Sequence, residues 1–155
     1  MYVIREANPG DAQTVAALLR SYMLETYHEE WDGSVNALLE VGFGARFRIL
    51  VATMADQLVG FLAWERSYDL HHCLSGGHIL DLYVTRAHRA RGIAAQLIAR
   101  ATGVIHREGG AFIRAERSAA VRALASMGDS LPLLATIIFS AARPSAIWPH
   151  DQSCR

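Results

Sequence analysis

At 155 residues the chain is one domain by length and long enough to bury a real core. Hydrophobic residues make up 52% of it, which excludes a disordered chain, and the formal charge is zero, which removes any electrostatic argument for a nucleic-acid or anionic-membrane partner. The two cysteines, Cys73 and Cys154, form neither a disulfide framework nor a metal spacing, so both are expected as free thiols.

Tyr2 to Glu6 predicts a short strand. Asn8-Pro9-Gly10-Asp11 predicts a helix start, with Asn8 as N-cap, Pro9 in the first turn and Asp11 placing negative charge there. Val15, Leu18, Leu19, Tyr22 and Met23 recur at helical spacing and give that helix its buried stripe. A second helix is expected over Ser34 to Glu40, ended by Gly42 and Gly44. The link between the two is acidic and aromatic: Glu25, Tyr27, His28, Glu29, Glu30, Trp31 and Asp32.

Arg46 to Met54 predicts a strand with Phe47, Ile49 and Val51 on one face, and Leu58 to Tyr68 its hairpin partner. Asp69 to Gly77 reads as a loop holding His71, His72, Cys73 and Gly76-Gly77. Its His-His-Cys run lacks a second ligand set at zinc-site spacing, so no metal is expected. His78 to Thr85 predicts a strand, Arg86 to Ala94 a basic loop, and the run to His106 a helix whose apolar face carries Ile93, Leu97, Ile98, Ala101, Val104 and Ile105. Gly109-Gly110 stops this helix. Ala111 to Ala115 then reads as a buried strand, reached by a parallel-type crossover. Ser118 to Met127 predicts a last helix, with Gly128 at its C-terminal cap, and Leu133 to Ala141 a last strand.

The predicted order is β-α-α-β-β-β-α-β-α-β, an α/β chain with a mixed sheet and helices on its faces. One domain is expected over residues 1–142 and a tail over residues 143–155. The start shows no charged segment with an apolar core behind it. The longest apolar stretch, Leu131 to Ala142, falls short of a membrane span, so a cytoplasmic location is expected.

The stretch from His78 to His106 organises the rest. Its loop ends in Arg89-x-x-Gly92-x-Ala94, where small residues let the backbone approach a ligand. The helix behind it begins with unpaired N–H groups, which favour an anion such as a phosphate. No Walker loop exists in the chain, and the single Gly92 fails the dinucleotide fingerprint. The run Leu80-Asp-Leu-Tyr-Val-Thr-Arg-Ala-His-Arg-Ala-Arg-Gly-Ile-Ala-Ala-Gln-Leu-Ile98 instead resembles, without a gap, the acetyl-coenzyme A signature of the GNAT (GCN5-related) N-acetyltransferase family. Its pattern is most similar to that of the diamine and polyamine acetyltransferase branch.

The resemblance implies a GNAT fold and an acetyl-CoA co-substrate with no metal. Backbone groups of Leu82, Tyr83 and Val84 would flank the pantetheine arm. Amides of Ala90, Arg91, Gly92, Ile93, Ala94 and Ala95 would hold the pyrophosphate, and Arg89 and Arg91 would add positive charge there. A backbone N–H near Val84 would polarise the thioester carbonyl. The acceptor would be a small-molecule amine, met by the acidic and aromatic link at Glu29 and Trp31, and such proteins often form homodimers. Two departures matter. The branch's usual base, a glutamate, is Leu80 here. The tyrosine that often protonates the thiolate is Leu124. Asp81, on the opposite strand face from Leu80 by alternation, is read either as the base, through water or by holding the ammonium, or as a structural carboxylate. Glu65 and His78 are weaker candidates. Ser118, Tyr83 or water would take over as acid. Two other readings stay open: a non-catalytic acetyl-CoA-binding protein, and an acetyltransferase for a protein N-terminus or lysine.

Overall fold

A computed structural model describes residues 1–43, 46–116 and 136–140, the last five and Glu116 as backbone. The predicted last helix, with Ser118, Leu124 and Gly128, and the tail lie outside the described residues.

Six strands form one sheet in chain order: β1 (Val3–Glu6), β2 (Arg48–Met54), β3 (Gln57–Asp69), β4 (Leu74–Val84), β5 (Phe112–Glu116) and β6 (Thr136–Ser140). All neighbours are antiparallel except β4 and β5, which run parallel as a strand–helix–strand unit requires. The α-helices among the described residues are α1 (Ala12–Tyr27), α2 (Val35–Val41) and α3 (Ile93–Arg107). None of the described helices is long and apolar enough to cross a membrane.

The sheet is buried on both faces, and alternation along β2 sorts its residues between them. Leu50 and Ala52 meet Leu97, Ala101 and Ile105 of α3. Ile49 and Val51 meet Val15, Leu18 and Tyr22 of α1, with Phe47 against the same cluster. The α1 entrance is tied down by side chains. Asn8 accepts from the Gly10 N–H at 2.9 Å, and Asp11 accepts from the Asn8 N–H at 2.8 Å. Arg5 of β1 grips both Asp11 oxygens, at 2.7 and 2.8 Å. His28, with φ 60°, ends the helix.

Two expectations from sequence need correcting here. Gly76 and Gly77 are not loop residues, because β4 already begins at Leu74. They are small because neighbours press on the strand. A Cβ at Gly76 would lie 2.6 Å from the Phe112 carbonyl oxygen, and one at Gly77 would lie 2.3 Å from Ile105 Cδ1. Gly76→Ala is expected to cost about 1–3 kcal/mol of stability through overpacking. A thermal melt superimposable on wild type would restore the loop reading. The second correction concerns Cys73, which is disulfide-bonded rather than free. Asp69 accepts from the His71 and His72 N–H groups, at 2.9 and 3.3 Å, and closes the short turn before it.

Candidate active site

The site begins where β5 leaves β4. Parallel pairing runs only from Gly76↔Phe112 to Ile79↔Ala115, whereas β3 accompanies β4 through Val84. From Leu80 to Val84 one edge of β4 therefore lacks a strand among the described residues. The ladder sets what that edge offers. The Thr85 N–H bonds to the Val59 carbonyl at 2.9 Å, which points Thr85 toward β3. By antiparallel alternation the N–H and C=O of Val84 and of Leu82 point the other way, into the opening.

The chain next turns through Arg86–His88 and enters α3 at Ile93. Ala90 and Gly92 both take positive φ, 58° and 75°. No backbone or side-chain acceptor among the described residues takes the N–H groups of Ala90 through Ala95; the first bond of the helix is from Gln96 to the Gly92 carbonyl, at 3.0 Å. A Cβ placed on Gly92 would meet nothing within 4 Å, so the space beside this glycine is open. Ile93, 2% exposed, anchors the helix start in the α3-side core. Six unpaired amides, three of them at a helix N-terminus, suit a diphosphate in charge and geometry.

The two loop arginines are both engaged. Arg91 donates to the Tyr2 hydroxyl at 3.2 Å, and that hydroxyl lies 3.0 Å from His88 Nδ1. Arg89 turns inward. Its Nε donates to the Val84 carbonyl at 2.7 Å, its Nη2 to Glu25 at 2.6 Å, and its guanidinium lies 5.4 Å from the centre of the Tyr83 ring.

Asp81 is not where alternation puts it. Ala63 pairs with Asp81 but Trp64 pairs with Ile79, so Leu80 is an extra residue in β4. Such a bulge re-aims side chains. Leu80 packs with the α1-side cluster, and Asp81, opposite Ala63 of that cluster, lies on the same face beside Tyr22. The expected opposite faces for Leu80 and Asp81 are thus overturned. Burial raises the Asp81 carboxyl above its usual range, against a hydrogen bond from Tyr22 that lowers it. Burial also pushes the Tyr22 hydroxyl far up, helped by Tyr27 and Asp81. The Tyr22 and Tyr27 hydroxyls are 3.4 Å apart, and the rings of Tyr22, Phe61 and Tyr83 pack together with centroids 5.9–6.5 Å apart.

Tyr83 donates its hydroxyl to Glu25 at 2.9 Å, and burial followed by this contact raises its pKa. Glu25 itself resists ionisation through burial, but hydrogen bonds from Arg89, Tyr83 and Arg86 outweigh that and hold it below the usual carboxylate range. Glu25 and Tyr22 are the residues that sequence reasoning missed as site members. Their only signal was a polar-tipped aromatic on an apolar helix stripe, with a carboxylate three residues on. Glu29 is exposed and makes no hydrogen bond or ion pair among the described residues. Trp31 packs at the edge of the α1-side cluster and is covered by Arg20, 5.4 Å from its ring. His78 and Glu65 lie 3.6 Å apart, further down the sheet. Among the described residues no cluster of three or more His, Cys, Asp or Glu could hold a metal.

A mixed sheet that opens at its central strand, next to a loop of free amides, is the acyltransferase fold. The chain belongs to the GNAT acetyltransferase family: a family model described as "Acetyltransferase (GNAT) domain" matches residues 45–128, more than half of its length. A search of curated protein sequences finds no match. Among solved structures, a transcriptional regulator from Bacillus halodurans C-125 aligns with TM-score 0.68 and 23% identity, over 86% of this chain and 97% of that one. An aminoglycoside acetyltransferase, meta-AAC0020, from an uncultured soil metagenomic sample and in complex with sisomicin, aligns with TM-score 0.67 and 16% identity, over 86% and 93%. A ribosomal-protein-alanine N-acetyltransferase from Brucella melitensis biovar Abortus 2308 aligns with TM-score 0.62 and 25% identity, over 73% and 77%.

Proposed function

We propose that this protein is an acetyl-CoA-dependent N-acetyltransferase acting on a small primary amine in a ternary complex. The observation that carries the reading is the row of unpaired amides from Ala90 to Ala95 beside the open edge of β4. Those amides would hold the diphosphate, and Leu82 and Val84 would align the pantetheine arm along the edge. Bound there, acetyl-CoA supplies an activated acetyl group. The Val84 N–H donates to the acyl oxygen as charge gathers on it. Asp81, desolvated and so more basic than an ordinary carboxylate, takes a proton from the substrate ammonium directly or through water. The freed amine attacks the thioester carbon, and the C–S bond breaks as the C–N bond forms. Coenzyme A leaves as a thiolate that is protonated, through water, by the proton the new amide nitrogen sheds. The buried tyrosines around it keep water sparse, which strengthens both interactions. A diamine or polyamine suits these acidic and aromatic groups, and one solved structure of the same fold is an aminoglycoside acetyltransferase in complex with sisomicin.

Titration calorimetry with acetyl-CoA, followed by thiol release over an amine panel, tests this. The panel includes diamines, aminoglycosides and peptides with N-terminal alanine. Heat with acetyl-CoA and turnover with small amines are expected. No heat from demonstrably folded protein would end the reading. One observation favours a second reading: Leu80, at the base position of the resemblance, is an apolar side chain packed in the α1-side cluster. Binding without turnover on any amine would make the protein a non-catalytic acetyl-CoA binder, and turnover on peptides alone a protein acetyltransferase.

A further inference from the structure

Glu25 joins three side chains of the site, and nothing in the proposed chemistry uses it. It stands on α1, two residues from the helix end, yet its partners come from the end of β4 and the β4–α3 connection. One oxygen accepts from the Tyr83 hydroxyl at 2.9 Å. The other accepts from Arg89 Nη2 at 2.6 Å and faces Arg86 Nε at 3.2 Å. The Glu25 side chain is 21% exposed and that of Arg89 45%. Exposed ion pairs of this kind add little to stability. What this one does is geometric. Arg89 is long and has several rotatable bonds, and without a fixed partner it would sample solvent. Its planar fork instead spans two acceptors, the Glu25 carboxylate and the Val84 carbonyl, over the face of Tyr83.

The Val84 carbonyl is the significant partner. It points into the same opening as the Val84 N–H, so an acyl oxygen arriving there meets one donor and one acceptor. The acceptor repels developing negative charge. Arg89 occupies that carbonyl and adds positive potential beside it.

We propose that Glu25 is a positioning residue for acyl transfer: by holding Arg89 on the Val84 carbonyl, it leaves the Val84 N–H as the group this register offers to the thioester oxygen. The inference rests on the acetyl-CoA reading above. It assigns Arg89 to the reacting end of the co-substrate rather than to the phosphates.

The test uses the full chain as wild type, Glu25→Gln, Arg89→Lys and the double variant. Glutamine removes the charge and one acceptor oxygen, while lysine keeps the charge but cannot span two acceptors. Nitrogen-15 NMR without ligand reads solvent exchange of the Arg89 Nε–H, assigned by its loss in Arg89→Lys. Steady-state kinetics and calorimetry read kcat and the affinity for coenzyme A. The wild-type Nε–H should be protected and the Glu25→Gln one exposed. Either single variant should lower kcat by about ten- to a hundredfold, the scale of a misplacement at the reacting centre, with coenzyme A affinity held within about threefold. The double variant should be no worse than the poorer single one, because both act through one contact. An Nε–H equally protected in Glu25→Gln, an unchanged kcat, or additive losses would overturn the proposal. Wild type that binds no acetyl-CoA sinks the function and this inference together. Wild type that turns over, matched by Glu25→Gln, sinks this inference alone.

Discussion

Replacing Gly92 by valine should abolish measurable acetyl-CoA binding, whereas the same replacement at Gly109 should leave it intact. The two positions make a matched pair. Both glycines sit in left-handed backbone at an end of α3, with φ 75° and 84°, and a Cβ at either would touch nothing within 4 Å. Each substitution therefore carries the same backbone penalty, about 1–2 kcal/mol. Their thermal melts should fall together. They differ in their surroundings. Gly92 lies within the run of unpaired amides from Ala90 to Ala95, and on the proposed reading branched methyl groups there would crowd the diphosphate. At Gly109 the chain is merely leaving the helix. Calorimetry should show a loss of at least about a hundredfold for Gly92→Val, near 2.7 kcal/mol, beside near wild-type affinity for Gly109→Val. Equal affinities would mean that this loop does not hold the co-substrate.

Asp81→Asn should raise stability and lower activity at the same time. Its carboxyl is raised by burial, so the sign runs opposite to that of a salt-bridged acid. Well above both its folded and unfolded pKa values the carboxylate is charged in each state, and burial penalises the fold. Below both values it is neutral in each, and the penalty is gone. Stability contributed by Asp81 thus improves as pH falls through its folded value. Asparagine removes the charge at every pH. Its melting temperature should exceed that of wild type at neutral pH, by roughly 2–4 °C per kcal/mol recovered. The gain should vanish in acid. Over the same range kcat of wild type should climb with pH through an apparent pKa above the usual carboxylate range. The variant should lose that climb, together with about 10²- to 10⁴-fold in rate. An asparagine variant with unaltered kcat and pH profile would reduce Asp81 to a structural group. Such opposed effects are common where a site keeps a group its fold would rather lose.

The strand, loop and helix around Gly92 were legible from sequence because their signals are local. An apolar run, a glycine after two arginines and an apolar stripe at helical spacing in α3 each report on a few neighbouring residues. The end of β2 at Met54 and the Asn8 cap, which closes the 3-10 turn Pro9–Asp11 leading into α1, were legible for the same reason. Long-range geometry was not. Gly76 and Gly77 look like turn residues until Phe112 and Ile105 are seen pressing on them. Asp81 was assigned to the wrong face because strict alternation ignores a bulge, and the bulge at Leu80 is visible only in the register with Ala63 and Trp64. Glu25 was one acid among several in a charged link. Contacts across 58 and 64 residues are what single it out from Glu29.

The bulge has an evolutionary consequence. Leu80 is counted by neither run of pairing: Ile79 and Asp81 oppose consecutive residues of β3 as though nothing lay between them. Whatever side chain stands at position 80 faces α1 without being required by the ladder. It is an exchangeable socket, where an acid or an alkyl group can be seated while the hydrogen-bond grid on both sides stays put. The glutamate that the resemblance places here and the leucine this chain carries are thus one substitution apart with no change to the ladder.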